Sequence, residues 1–165
     1  MIDRVDYQGE GIGLVDDKGR CAIPASLRAA LAANSPRADG KDGGSVIIGA
    51  HRSSPCLIGY DERYRTELKA LAAQLQAAYL AKHGTHNPNI LREIVQGEPV
   101  PFDGSGRFIM PAFARFRAKI GANAFFYGTF ECFEIWDPRT LIESDVAEVM
   151  KDCARFHCQQ KGIAL

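Results

Sequence analysis

The chain has 165 residues, 46% hydrophobic and 24% charged, which excludes a disordered or collagen-like polymer and permits a packed core without disulfides or metal. No apolar run approaches the roughly 18–20 residues that span a bilayer, and acids at Asp3 and Asp6 stand where a secretory leader needs basic then apolar stretches. Twenty basic residues balance twenty acidic ones, so whole-chain charge gives no strong pull on a polyanion.

In chain order, a strand is expected over 12–16, a turn at Gly19 and a returning strand over 20–23. Pro24 then opens a helix over 25–33, because a missing N–H costs nothing at a helix start. Residues 34–44, rich in Asn, Ser, Pro, Asp and Gly, read as a loop. A hairpin of 46–50 with 56–60 follows, and Asp61 stands where an N-cap belongs. The helix beyond carries an apolar stripe of Leu68, Leu71, Ala72, Leu75, Ala78 and Tyr79. Residues 84–97 read as a linker, most loop-like around His83–Pro88. The same series then recurs: strands over 100–103 and 107–110 about Gly106, Pro111, a helix over 112–120 stopped by Gly121, and a hairpin of 124–127 with 132–136. Asp137 and Pro138 cap a last helix with a stripe of Ile142, Val146, Val149, Met150 and Cys153.

The recurrence is also literal. Asp16, Gly19, Arg20, Pro24, Ala25 and Arg28 return 87 residues later as Asp103, Gly106, Arg107, Pro111, Ala112 and Arg115. Cys56 and Asp61 return 76 residues later as Cys132 and Asp137, so the first copy holds an 11-residue excess, assigned to 34–44. The expected organisation is a first repeat at 1–83, a linker at 84–97 and a second repeat at 98–165. Four short strands per copy cannot close a core alone. The fold class is therefore α+β with internal pseudo-two-fold symmetry and a shared sheet system.

The case for an enzyme is thin. Gly9, Gly11 and Gly13 precede their strand instead of following one, which suits a strand entry better than a phosphate cradle. His83, His86, Cys153, His157 and Cys158 match no standard zinc spacing, so neither metal nor cofactor is expected. The five cysteines (Cys21, Cys56, Cys132, Cys153, Cys158) are odd in number without framework spacing and read as free thiols of a reducing, cytoplasmic compartment. No cysteine has a histidine tied to it by a local nucleophile signature.

The repeated Asp-x-x-x-Arg turn is the richer signal. Residues 18–37 and 105–124 each carry +4 with no acid, inside a chain of zero net charge. Arg20 and Arg107 at the turns can grip phosphate or read guanine, with Asp16 and Asp103 orienting them. Lys18, Arg28 and Arg115 add positive charge nearby. A single such turn is an ordinary surface Asp–Arg pair; two in acid-free windows point to a polyanion-binding surface.

Asp16-x-Lys18-Gly19-Arg20-x-x-Ile23-Pro24-x-x-Leu27-Arg28 resembles the MraZ family of bacterial transcription regulators. The likeness extends upstream to Tyr7-x-Gly9-Glu10 and returns as Asp103-x-x-Gly106-Arg107-x-x-x-Pro111 and Phe133-Glu134-Ile135-Trp136-Asp137. The second turn departs from it, having Gly104 and Ser105 where a basic residue is expected, as does Ala114 in place of a leucine. The resemblance implies an AbrB-like (SpoVT-AbrB) swapped-hairpin β-barrel with flanking helices. It implies double-stranded DNA as partner, contacted by position through Asp16 with Arg20 and Asp103 with Arg107, with Lys18 as the basic turn residue; Arg28 and Arg115 join this DNA-binding set on their charge near the turns. It further implies a homo-oligomeric ring on tandem direct repeats in the protein's own promoter. The ring would repress the division and cell-wall gene cluster from the cytoplasm, associated with the nucleoid. The competing expectation is an AbrB-like antitoxin or protein-interaction module that does not act on DNA alone.

Overall fold

Alternating side chains along each strand set the architecture of the computed structural model, which describes residues 3–35 and 43–165. The strands are β1 (Glu10–Leu14), β2 (Arg20–Ala22), β3 (Gly44–Ala50), β4 (Leu57–Tyr60), β5 (Glu98–Phe102), β6 (Arg107–Ile109), β7 (Asn123–Gly128) and β8 (Phe133–Trp136). The helices are α1 (Ala25–Asn34), α2 (Tyr64–His83), α3 (Pro88–Ile94), α4 (Ala112–Ala118), α5 (Pro138–Glu143) and α6 (Glu148–Gln160). Six strands form one open antiparallel sheet in the order β1-β7-β8-β4-β3-β5, and β2 pairs with β6 in a separate ribbon. The result is a mixed α+β fold.

The pairing exchanges partners between the two halves. Strand β1 pairs with β7, with Glu10 opposite Tyr127, while β5 pairs with β3, with Glu98 opposite Ile48. The central contact, β4 with β8, and the ribbon, β2 with β6, each join one strand from either half. A half-chain alone would leave these edges unpaired, an aggregation hazard that the exchange removes.

One sheet face sends Val46, Ile48, Leu57, Ala124, Phe126, Phe133 and Ile135 into the main core. There they meet Cys21 and Phe108 of the ribbon, Leu27 and Leu31 of α1, and Ala114 and Ala118 of α4. The opposite face is split. Ile47, Ile58 and Tyr60 pack against Leu68 and Ala72 of α2 and Ile90 and Ile94 of α3. Phe125, Tyr127 and Trp136 pack against Leu141 of α5 and Met150 and Ala154 of α6. Among the described residues the ribbon is thus buried on one face only.

Several boundaries differ from the sequence expectation. Asp61 is not a helix cap: α2 begins at Tyr64, and the buried Asp61 carboxylate accepts from Arg4 and from Tyr7 Oη at 2.7 Å. Asp137 does cap α5, accepting from the Arg139 and Thr140 backbone N–H groups. The last helical stripe is broken between Ser144 and Ala147, giving two helices in place of one. Helix α4 ends at Ala118 with Lys119, not Gly121, in the left-handed conformation. The 84–97 stretch contains α3, capped by Asn87 and packed through Ile90 and Ile94. Of the loop read at 34–44, residues 36–42 lie outside the described residues; Asn34 closes α1 and Gly44 opens β3.

Candidate nucleic-acid interface

The two Asp-x-x-x-Arg segments fold into matching turns. In the first, Gly19 N–H donates to the Asp16 carbonyl at 3.0 Å, and Asp16 N–H to the Arg20 carbonyl at 3.1 Å. In the second, Gly106 donates to Asp103 at 2.9 Å and Asp103 to Arg107 at 3.0 Å. Gly19 and Gly106 have φ of +86° and +78°, a region glycine enters without a Cβ penalty.

Each carboxylate divides its work between backbone and guanidinium. Asp16 Oδ1 accepts from the Lys18 and Arg20 backbone N–H groups at 3.0 and 2.8 Å, and Oδ2 from Arg20 Nε at 2.5 Å. Asp103 Oδ1 accepts from the Ser105 and Arg107 N–H groups at 2.9 and 3.0 Å, and Oδ2 from Arg107 Nε at 2.7 Å. The side-chain bond from Arg20 holds the Asp16 carboxyl below the usual carboxylate range; for Asp103 the backbone N–H of Arg107 leads, followed by its side chain. Because Nε alone is used, the terminal nitrogens of Arg20 and Arg107 make no hydrogen bond among the described residues. A guanidinium held at Nε with its Nη fork outward suits two acceptors side by side, as on guanine or a phosphate.

The exchange of strands also exchanges the supporting arginines. Arg28 of α1 donates from Nη1 to the Ser105 carbonyl in the second turn, and Arg115 of α4 from Nη1 to the Asp17 carbonyl in the first. Ile23 N–H donates to the Gly106 carbonyl at 2.9 Å, and Met110 N–H to the Gly19 carbonyl at 2.8 Å. A Cβ at either glycine would fall 2.9 Å from the opposing Ile23 or Met110 carbonyl oxygen. Asp16, Arg20, Arg28, Asp103, Arg107 and Arg115 are therefore one constellation across the two linked turns, with Lys18 exposed on the first turn. Sequence reasoning placed Arg28 and Arg115 beside their own turns; the crossover depends on strand exchange, which the local pattern does not carry.

The histidines and cysteines weighed as metal ligands do not come together. His83 packs on Tyr79, with ring centroids 4.1 Å apart, and His157 Nε2 lies 3.3 Å from Glu10 Oε1. A different set converges among the described residues: His51, Cys56 and Glu134, with ligand atoms within 4.8 Å of one another. His51 Nδ1 accepts from the Ser53 and Ser54 N–H groups, each at 3.0 Å, which places the ring proton on Nε2 toward Glu134 Oε2 at 3.5 Å. A ligating histidine donates its second ring nitrogen, whereas this one accepts. Burial also pushes the Cys56 thiol up, away from thiolate. Glu134 is further bound by Trp136 Nε1 at 2.8 Å, so His51, Glu134 and Trp136 form a polar strut between the hairpins with the buried Cys56 beside it. Gly11 and Gly13 lie within β1, paired to β7, and form no phosphate cradle.

No protein-family model matches the chain. It is 33% identical over 150 residues to the protein named Transcriptional regulator MraZ of Ruegeria sp. (strain TM1040), covering 88% of this chain and 85% of that relative. The protein of that name from Rhodospirillum rubrum is 31% identical over 130 residues, 77% of this chain and 76% of its own. That of Pseudomonas syringae pv. syringae is 28% identical over 149 residues, 88% and 91% of the two chains.

Proposed function

The chain belongs to the MraZ family of transcriptional regulators, and we propose that it is a sequence-specific DNA-binding repressor acting through the β2–β6 ribbon. The observation that carries this reading is the pair of Asp-held arginines, Arg20 and Arg107, on one exposed ribbon face with their Nη groups unengaged among the described residues. A two-stranded ribbon fits the major groove, where arginine pairs bidentately with guanine. The exchanged pairing of residues 1–83 with 98–165 supports reading the fold as an AbrB-like swapped-hairpin barrel of two repeats joined through 84–97.

The target is tandem direct repeats in the protein's own promoter, heading the division and cell-wall gene cluster, and the protein works in the cytoplasm at the nucleoid. One subunit of zero net charge binds such DNA weakly. A homo-oligomeric ring on consecutive repeats multiplies affinity by roughly 10²–10⁴ through effective concentration. Phe113 and Phe116, exposed on α4, offer apolar surface for that self-association.

Pull-down of fragmented genomic DNA should enrich direct repeats upstream of the gene itself. Fluorescence anisotropy on that repeat duplex and a scrambled one, at two salt concentrations, should show tighter and steeply salt-dependent binding to the repeats. Equal affinity for the two duplexes would remove the reading.

A further inference from the structure

The arginine face of the ribbon also carries apolar side chains that the fold leaves in solvent. In the β2–β6 register Arg20 stands opposite Ile109 and Ala22 opposite Arg107, so these four share the face turned away from the core. Ile109 is 58% exposed and Leu14, on the neighbouring β1, is 73% exposed. With Pro101 and both arginines they line one open groove of about 890 Å³. Side chains exposed to this degree contribute little to the core, and covering them with an apolar partner is favourable.

Resting on the reading that this ribbon enters duplex DNA, we propose that Ile109, supported by Leu14, is a specificity-determining residue that reads the C5-methyl group of a thymine. That methyl is the one apolar group on base edges in the major groove. Directly opposed residues of a ribbon lie about 5 Å apart and diagonal ones about 7–8 Å, so Ile109 reaches a base one or two steps from the one held by Arg20. The charge of the groove suits the partner: Arg20 and Arg107 line it with a single acid among the described lining residues, Asp103, which is bound to Arg107, and the adjacent Asp16 is bound to Arg20. The pseudo-symmetry is broken at this point, because Ile109 matches Ala22 and Leu14 matches Pro101 at the 87-residue offset. The thymine preference is therefore one-sided, next to the base that Arg20 contacts.

Replacing each thymine of the repeat duplex in turn by deoxyuridine removes the methyl alone. The wild-type protein should bind roughly three- to fivefold more weakly at one such position, the effect of burying one methyl group. Ile109→Ala should bind the thymine and uracil forms of that position alike, while Arg20→Ala in the same duplex loses binding to both. The proposal is overturned if wild-type protein ignores every thymine-to-uracil change, or if Ile109→Ala keeps the discrimination. Loss of binding on Arg20→Ala with no methyl effect would overturn this inference and leave DNA recognition by the ribbon standing. Failure to bind any repeat duplex would overturn both.

Discussion

Arg28 and Ser105 are 77 residues apart, yet Arg28 Nη1 donates to the Ser105 carbonyl at 2.6 Å, so the first half of the chain fixes the turn of the second. Arg115 returns the contact to Asp17 at 3.4 Å. Arg28→Ala should therefore loosen the turn that presents Arg107 as well as remove a positive charge. Binding should weaken on all duplexes, with the salt slope reduced by about 1. Because the contact is exposed, unfolding in urea should shift by no more than about 1 kcal/mol. Arg28→Lys keeps the charge without the planar fork, and should restore the salt slope but not the full affinity.

Arg20→Ala and Arg107→Ala should each cost about 1–3 kcal/mol on specific DNA. Both side chains are exposed, so stability should stay within about 0.5 kcal/mol. Arg20→Ala should be the more damaging, because Lys18 adds charge at that turn while Gly104 and Ser105 add none at the other. Anisotropy titrations on repeat and scrambled duplexes, with urea melts of the same proteins, measure both quantities.

The turn carboxylates should leave DNA binding indifferent to pH in the neutral range. Asp16 and Asp103 are both held below the usual carboxylate range, so their contribution to the folded turns is complete above the unfolded value near 3.8. It is lost only as pH falls through the lower folded values. Specific affinity should therefore show no step from these two groups between pH 5 and 8, and carboxyl NMR titration should find both midpoints below 3.8. Asp16→Asn keeps an oxygen for the turn N–H groups but sets an amide donor against Arg20 Nε. It should bind scrambled DNA somewhat better and the repeat duplex worse.

The turns were legible in the sequence because their logic is local: Asp, Gly and Arg within five residues, followed by Pro24 or Pro111 at a helix start. The strand over 46–50 was legible too, although its burial on both faces, Val46 and Ile48 toward the main core and Ile47 toward α2 and α3, is seen only in the structure. The partner of each strand was not legible, since β1 with β7 and β5 with β3 pair residues 50 or more positions apart that have no register signal of their own. Asp61 was misread for the same reason. An aspartate before a helix looks like a cap, but here Arg4, 57 residues away, outcompetes the helix N-terminus for the carboxylate. Ile109 and Leu14 gave no sequence signal either, because alternation predicts which face a residue takes and not whether anything covers that face.

Gly19→Ala and Gly106→Ala should each destabilise the protein by about 2 kcal/mol. A non-glycine residue at positive φ costs about 1–2 kcal/mol, and the new Cβ would stand 2.9 Å from a carbonyl oxygen of the other half. Gly84→Ala is the control: its φ is +74°, but among the described residues nothing lies within 4 Å of the added Cβ, so only the backbone cost applies. Thermal melts of the three variants should place Gly84→Ala nearest to wild type.

Asp61 tests how the amino-terminal segment is fastened. Its carboxylate accepts from two nitrogens of Arg4 and from Tyr7 Oη, while Arg4 also reaches Glu131 Oε2 at 3.0 Å and stacks over Tyr64 at 4.9 Å from the ring centroid. Burial pushes the Asp61 carboxyl up, but the bonds from Arg4 and Tyr7 outweigh it and hold the group below its ordinary value. Its stabilisation is thus complete above the unfolded value of 3.8 and lost as pH falls from there through the lower folded value, so its share of acid unfolding falls between those two values. Asp61→Ala leaves a nearly buried guanidinium and a buried phenol without their acceptor, a defect of about 3 kcal/mol, at the low end for a broken buried pair because Arg4 retains Glu131. Asp61→Asn keeps one acceptor for Tyr7 and should lose less. Urea unfolding at neutral pH should rank wild type above Asp61→Asn above Asp61→Ala, and below the folded midpoint of Asp61 the wild type should draw level with Asp61→Asn. A gap between those two proteins that persisted undiminished there would mean that Asp61 does not fasten the segment through its charge.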